Sequence, residues 1–373
     1  MKKRIICLLL VLFTPFAALA EEEGEEVFSS SAKAAILIDG ASGRILYEDN
    51  AHQALPMAST TKVMTALMAL EYGKLEEKVT TGKNAFGVPG TSIYLSLGET
   101  LVLRDMLYGL LLSSGNDAAV AIAEHIGGTV EGFCERMTAR AKELGCENTV
   151  FKNPHGLPNS EHHTTAYDLA LIAREAMTHK LFRTIVGTEK ARIPWEGHSY
   201  DRVLNNKNRL LSDYEGATGI KTGYTKAAGR CLVFSAQREG MEVIGVVLNC
   251  GDWFNEAEKM MNGGFETYRF ISFLKKGSLI ETLHVKDGEA DGLGAILSKD
   301  LGGVFKKTEP PLLKIELPDE ITGDVEQGES LGLAGLYEGD VLIDEAAIVA
   351  KETVKTRTFR RNLERTRENW FWN

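Results

Sequence analysis

Residues 55–73 read Leu-Pro-Met-Ala-Ser-Thr-Thr-Lys-Val-Met-Thr-Ala-Leu-Met-Ala-Leu-Glu-Tyr-Gly. Pro56 interrupts regular structure upstream. From Val63 to Leu70 nearly every residue is apolar, and Gly73 supplies a C-terminal stop. A helix that is apolar all round is a buried helix, so this stretch predicts the centre of a packed lobe. Its N-terminus carries Ser59 and, three residues on, Lys62. Residues at i and i+3 share a helix face, and free backbone N–H groups and the positive dipole end converge at the same point. Hydroxyl, amine and N–H donors together are the parts of an activated serine nucleophile. The same residues also read as an ordinary N-cap and first-turn lysine. Ser-x-x-Lys recurs at Ser30–Lys33 and Ser272–Lys275, and neither of those opens a buried helix.

With 373 residues, 44% hydrophobic and 25% charged, the chain is long enough for two or three soluble domains. Residues 1–20 differ from the rest. Lys2, Lys3 and Arg4 precede a mostly apolar run from Ile5 to Leu19, and Ala18-Leu19-Ala20 is an Ala-x-Ala cleavage site. This predicts an export signal cut after Ala20. The net charge of −10 includes those three basic residues, so the processed chain stands at −13. Such a balance disfavours a nucleic-acid partner, and none is expected. Residues 21–32, with the acid run Glu21 to Glu26, read as a solvated leader.

Cys7 leaves with the signal. Cys134 and Cys146 are expected along one helix, about 18 Å apart at 1.5 Å per residue, too far to bridge. Cys231 and Cys250 fall on paired strands in a diagonal register, and a disulfide between them stays open. No Cys/His spacing resembles a zinc site, so no metal is expected.

Read in order, residues 34–39 and 44–49 flank Gly-Ala-Ser-Gly as a hairpin. The Ser59 helix follows, and residues 75–100 look irregular. Helices are expected over Leu101–Leu112, Asp117–Ile126, the stretch after Thr129 to Gly145, and Thr165–Thr178. Strands resume at Asp201–Asn205, Gly219–Lys221, Gly229–Arg238 and Met241–Cys250, with a tight turn at Glu239-Gly240. A last helix is expected over Trp253–Phe273. Strands from both ends with a helical block between them predict an α+β fold, an antiparallel sheet carrying an inserted helical lobe. Residues 33–275 form this domain. Residues 276–350, with short β-type runs between turn clusters, predict a small β-sandwich-like domain.

Residues 351–373 change sign, with seven basic residues against three acidic. Val354, Phe359, Leu363 and Trp370-Phe371-Trp372 can share one side of a helix. Basic amphipathic helices ending in Trp lie in membrane interfaces. A solvated tail is the alternative.

Two further segments supply what the Ser59 site lacks. Ser114-Gly115-Asn116 breaks two helices, where a second hydroxyl can shuttle a proton and an amide can orient Lys62. Lys221-Thr222-Gly223 ends a strand. Lys221 is a second cation that lowers the pKa of Lys62, Lys221 and Thr222 can bind a carboxylate, and Gly223 lets a substrate lie on the strand edge. The N–H of Tyr224 can join that of Ser59 as an oxyanion hole. Taken singly, each segment also reads as a polar loop or an edge-strand lysine.

The ordered set Ser-x-x-Lys, Ser-x-Asn, Lys-Thr-Gly resembles that of penicillin-binding proteins and class A β-lactamases. Over nearly its whole length the chain resembles the low-molecular-weight penicillin-binding proteins, the serine-type D-alanyl-D-alanine carboxypeptidases of the type-5 group. Asn153-Pro154-His155-Gly156-Leu157 and the segment from Gly219 to Thr225 belong to that resemblance. It implies a β-lactamase/transpeptidase-like domain, Ser59 as acylated nucleophile, Lys62 as its base and Ser114 as proton relay. It implies Asn116, Lys221, Thr222, Gly223 and Tyr224 as substrate-binding positions, and no cofactor. It implies peptidoglycan stem peptides ending in D-Ala-D-Ala as substrates and β-lactams as covalent inhibitors. The expected place is the outer face of the cytoplasmic membrane, held by the tail. The chain has Cys250-Gly251-Asp252 where the best-studied relatives carry an arginine, which leaves that contact unassigned. A class A-like β-lactamase needs Glu-x-x-Leu-Asn, and the chain offers only Asp201-Arg-Val-Leu-Asn205. A non-catalytic penicillin sensor is the remaining alternative, against which the intact Ser59, Lys62 and Lys221 stand.

Overall fold

The expected hairpin forms: Ala34–Asp39 pairs antiparallel with Ile45–Asp49 across a turn at Gly43. In this computed structural model, residues 3–9 and 30–357 are described. The chain divides between Glu266 and Thr267 into two units, the second of which also takes in the N-terminal strand.

In the first unit the hairpin joins three late strands in one five-stranded sheet. Its order is Ile45–Asp49, Ala34–Asp39, Met241–Leu248, Gly229–Arg238, Ala217–Thr225, and every pairing is antiparallel. Sequence-distant ends thus share one sheet, and everything between them is an inserted lobe. Ala217–Thr225 is an edge strand, so one of its sides stays open to a partner. It runs longer than the expected Gly219–Lys221, because the whole of Gly229–Ala236 offers it a ladder.

The lobe is built on the Lys62–Tyr72 helix, whose residues from Lys62 to Ala69 are all buried. It packs against the helices Leu103–Leu111, Asn116–Gly127, Val130–Glu143 and Ala166–Thr178. Thr129 and Thr165 cap two of these, each accepting from the backbone N–H three residues on. The α-helix does not begin at Ser59. Ala58–Thr61 is a 3-10 turn, and Lys62 is the first α-helical residue. The Thr60 and Thr61 hydroxyls donate back to the Met57 and Ala58 carbonyls at 2.5 and 2.8 Å, which tightens the turn.

Three differences from the sequence reading have local causes. The helix expected over Trp253–Phe273 ends at Thr267, and Tyr268–Leu274 is a strand paired with Leu301–Lys306. That run is rich in aromatic and β-branched residues, and the small unit supplies the ladder. Met241–Leu248 stops before Cys250, at Asn249 with φ 51°. Lys180–Val186 and Lys190–Ile193 form a helix and a strand that the sequence reading did not place, the latter paired with Arg202–Asn205. Cys134, Cys146, Cys231 and Cys250 are all free, and Cys146 lies past the end of its helix.

Among the described residues the second unit is all β. A seven-stranded sheet runs Lys3–Leu9, Leu312–Pro318, Ser330–Glu338, Val341–Ala350, Gly292–Leu297, Leu279–Lys286, Glu320–Thr322. Its core includes Leu293, Phe305, Leu317, Leu336 and Ile348. Lys3–Leu9, part of the expected signal, lies antiparallel to Leu312–Pro318, and Ala18-Leu19-Ala20 falls outside the described residues. On the sequence pattern Val354 belongs to the apolar side of the expected tail helix. It is buried in this core instead and bridges to Val325. Residues 358–373 fall outside the described residues. Among the described residues no helix is long and apolar enough to cross a membrane.

Gly245 sits opposite Phe234 in the central pair of the first sheet. A Cβ on Gly245 would lie 2.1 Å from the Phe234 ring. Gly245→Val should therefore destabilise the protein by about 1–3 kcal/mol through overpacking. Urea unfolding followed by tryptophan fluorescence checks this, and Phe234→Leu should relieve part of the loss.

Candidate active site

Lys62 is a fully buried lysine with no carboxylate bonded to it. Its Nζ lies 3.0 Å from Ser59 Oγ, 2.7 Å from Asn116 Oδ1 and 2.8 Å from the His155 carbonyl. Burial drives its pKa well below the usual lysine value, and the charges of Lys221 and then Lys207 push the same way. Asp117 pulls against them. That carboxylate is engaged by the Ser92 hydroxyl and by the backbone N–H groups of Ile93, Leu95 and Ala118. A neutral amine has two N–H bonds and one lone pair. The two carbonyl oxygens take the N–H bonds, which leaves the lone pair for the Ser59 hydroxyl. This is the hydrogen-bond arrangement of a base poised on a nucleophile.

Each partner is fixed by its own element. The Asn116 amide donates from Nδ2 to the Pro89 carbonyl at 2.6 Å, which sets the side chain so that its oxygen faces Lys62. His155 belongs to a tight loop in which Asn153 Oδ1 accepts from the N–H of Gly156 at 2.6 Å. Thr65 Oγ1 donates to the Pro154 carbonyl and locks that loop onto the central helix. Gly156 has φ +90°, and a Cβ there would stand 1.8 Å from the Ala58 carbonyl oxygen. The His162 ring bridges the Lys152 N–H, at Nδ1, to Thr61 Oγ1, at Nε2. Burial lowers its pKa to about 4, so the ring is neutral and supports the 3-10 turn without charge.

The Ala217–Thr225 strand closes the other side. A Cβ on Gly223 would lie 2.9 Å from the Ser59 backbone nitrogen and 3.0 Å from that of Thr60. Only glycine lets the strand edge come this near the nucleophile turn. Lys221 is buried and donates to the Thr222 carbonyl at 2.9 Å. Burial and the charge of Lys207 lower its pKa to about 7. Thr222 is buried, and Tyr224 is exposed.

Ser59, Lys62 and Asn116 are thus joined by direct hydrogen bonds, with Gly223 packed on their backbone. Ser114 is buried in the left-handed region at φ 62°, a strained setting for a serine. Its hydroxyl makes no hydrogen bond to Ser59 or Lys62. Three contributors were not picked out as site residues from sequence: the His155 carbonyl, Gly156 and Lys207. The Asn-x-x-Gly spacing of Asn153 and Gly156 marks the turn, but a backbone carbonyl has no side-chain signature. Lys207 lies between Asn206 and Asn208, both of which bond to nearby backbone.

Residues 20–251 match the D-alanyl-D-alanine carboxypeptidase family, peptidase S11. The chain belongs to this family. It is a serine-type peptidase on a penicillin-binding-protein fold. It is 34% identical to the D-alanyl-D-alanine carboxypeptidase DacF of Bacillus subtilis, over 98% of this chain and 97% of that one. It is 32% identical to DacC of Escherichia coli, over 94% and 90%. Penicillin-binding protein 5 of Haemophilus influenzae superposes with a TM-score of 0.74 at 27% identity, covering 89% of this chain and all of that one. An S96A mutant of the Streptomyces K15 DD-transpeptidase gives 0.60 at 35% identity, over 64% of this chain and 98% of that one.

The packing of this carboxypeptidase-family site predicts a sharp loss at Gly156. Gly156→Ala should push the Ala58–Ser59 backbone aside, and a misplacement near 1 Å costs on the order of 100-fold in rate. Stopped-flow acylation by a fluorescent penicillin measures this, with circular dichroism as the check on folding.

Proposed function

We propose that Ser59 is the acylated nucleophile of a DD-carboxypeptidase that removes the terminal D-Ala from peptidoglycan stem pentapeptides. The observation that carries this is the 3.0 Å contact of Ser59 Oγ with a buried Lys62 kept short of charge. The Ser59 hydroxyl gives its proton to Lys62 as Oγ attacks the carbonyl of the penultimate D-Ala. The backbone N–H groups of Ser59 and Tyr224 receive the developing oxyanion. Lys221 and Thr222 hold the terminal carboxylate, and Asn116 faces the substrate as well as Lys62. Ser114 passes the proton to the leaving D-Ala amine as the peptide bond breaks. Water then cleaves the ester, which restores the Ser59 hydroxyl and frees the shortened peptide. A β-lactam enters the same acylation step and leaves slowly. This slow deacylation separates the reading from that of a β-lactamase.

Ser59→Ala should abolish covalent penicillin labelling and D-Ala release while the fold is retained. Lys62→Ala should do the same through loss of the base, and unchanged acylation in that variant overturns its role. The pH profile of kcat/KM carries a second test. Protonation of Lys62 stops acylation, so activity falls as pH drops. Loss of the Lys221 charge weakens carboxylate binding, so activity falls as pH rises past about 7, the value to which its pKa is lowered. Lys221→Arg keeps its charge to far higher pH and should move the alkaline limb upward. An unmoved limb removes Lys221 from the carboxylate site.

The enzyme is read as exported by a signal over residues 1–20 and as acting on the wall side of the cytoplasmic membrane. Removal of the signal takes away the Lys3–Leu9 strand and leaves Leu312–Pro318 as a sheet edge. With Val354 in the small unit's core, the membrane-interface reading of the tail rests on residues 358–373. There Arg360, Arg361, Arg365 and Arg367 accompany Phe359, Leu363 and Trp370-Phe371-Trp372. Each basic residue near an anionic surface contributes about 1 kcal/mol, and the aromatic cluster adds a hydrophobic part. The processed chain should sediment with anionic liposomes and be partly released by high salt, whereas a chain ending at Arg357 should stay in solution and remain active. Identical partitioning of the two makes the tail a solvated end.

A further inference from the structure

In the first unit a cavity of about 370 Å³ lies along the connection from Pro194 to Asp201, the tip of the hairpin formed by Lys190–Ile193 and Arg202–Asn205. The volume is that of a small-molecule site. Its lining is aromatic and acidic, with Trp195, His198, Tyr200, Glu196 and Asp201. The Trp195 and His198 rings stack with centroids 4.2 Å apart, and Tyr200 stands edge-on to Trp195 at 5.7 Å. The His198 N–H donates to the Trp195 carbonyl at 3.1 Å and closes the turn. The buried Arg202 guanidinium lies 4.8 Å from the Trp195 ring centroid and pairs with Glu99 at 2.8 Å. One Glu196 oxygen accepts from the Thr100 N–H at 3.1 Å. Rings fixed in this way lose little freedom when a ligand meets them. Yet His198 and Tyr200 are exposed, and the proposed chemistry uses neither.

One loop ties this cavity to the catalytic cleft. The N–H groups of Ile93 and Leu95 are held by Asp117, beside Asn116. Between them Tyr94 is 75% exposed, and its carbonyl accepts from Arg202 at 3.3 Å. Tyr94 thus stands between the Asn116 end of the cleft and the Trp195 rings. Exposed aromatic surface rimmed by polar groups marks a binding site. We propose that Tyr94, His198 and Tyr200, with Glu196 and Asp201, bind an N-acetylated sugar residue of the glycan strand from which the stem peptide hangs. A pyranose has flat C–H faces that lie on aromatic rings, and hydroxyl and acetamide N–H donors around its rim. Exposed carboxylates accept from such donors, and a charged acceptor makes the stronger bond. The same carboxylates repel phosphate headgroups. A wholly apolar partner would leave them desolvated and unpaired. The inference rests on the proposed function, which is what brings a glycan-borne peptide to the cleft.

Two measurements test it. Binding of tetra-N-acetylchitotetraose to the processed Ser59→Ala chain, read by isothermal titration calorimetry, needs no catalysis. D-Ala release is then compared between a free stem pentapeptide and the same pentapeptide carrying its disaccharide. The disaccharide form should have the lower KM and a kcat/KM about tenfold higher, the scale of a well-placed aromatic contact. Tyr200→Ala and His198→Ala remove exposed rings, and either suffices where the other fails to fold. Each should weaken chitotetraose binding and bring the two substrates toward equal kcat/KM, with the free pentapeptide unaffected. Chitotetraose that fails to bind, equal rates on the two substrates in the wild-type protein, or a ratio unmoved in a folded variant overturns the sugar site. Loss of liposome sedimentation in Tyr200→Ala, with the ratio unmoved, makes the strip a membrane contact instead. A wild-type protein that binds chitotetraose but neither labels with penicillin nor releases D-Ala overturns the function and not the sugar site.

Discussion

A lysine amine sealed from water, with carbonyl oxygens instead of carboxylates around it, is the constraint on which the rest of this structure depends. A charged ammonium in that setting lacks compensation, so the amine is driven toward its neutral form. The acid whose charge acts on it, Asp117, already serves Ser92 and three backbone N–H groups. Lys221 and Lys207 add repulsion. A neutral Lys62 is a base, and Ser59 lies within its reach.

Three separate parts of the chain must meet to seal that amine. The 3-10 turn brings Ser59, the Asn116–Gly127 helix brings its first residue, and the Asn153–Leu157 loop brings a carbonyl. Close approach is bought with unusual backbone: Gly156 at φ +90° against Ala58, Gly223 against Ser59, and Ser114 and Ala58 in the left-handed region. Ser114 and Ala58 are strained there on their own, while Gly156 and Gly223 lack the Cβ that would collide. The all-apolar burial of the central helix and the five-stranded sheet hold them in place.

Much of the fold was legible because its periodicities are strong. The opening hairpin, the buried helix after Lys62, the capped helices at Thr129 and Thr165 and the Gly229–Leu248 hairpin all carry local signals that tertiary contacts reinforce. The failures lie where a partner strand decides. Tyr268–Leu274 continues an amphipathic pattern past Thr267, yet Leu301–Lys306 gives it a ladder. Val354 looks like one apolar point on a tail helix, yet the small unit buries it beside Val325. Neither competitor is visible within a local window.

By itself the sequence determined which groups are available for chemistry and in what order: Ser59, Lys62, Ser114, Asn116, Lys221, Thr222. Those are side chains, and a side chain is written in the sequence. Tertiary structure alone decided the lowered pKa of Lys62 and of Lys221 and the neutrality of His162, because a pKa belongs to the surroundings of a group and not to its residue type. It also decided the part played by the His155 carbonyl, a group that every residue, proline included, carries on its backbone. The cavity at Trp195 was decided in the same way, since its hairpin and the Tyr94 loop come from segments that meet only when the chain folds.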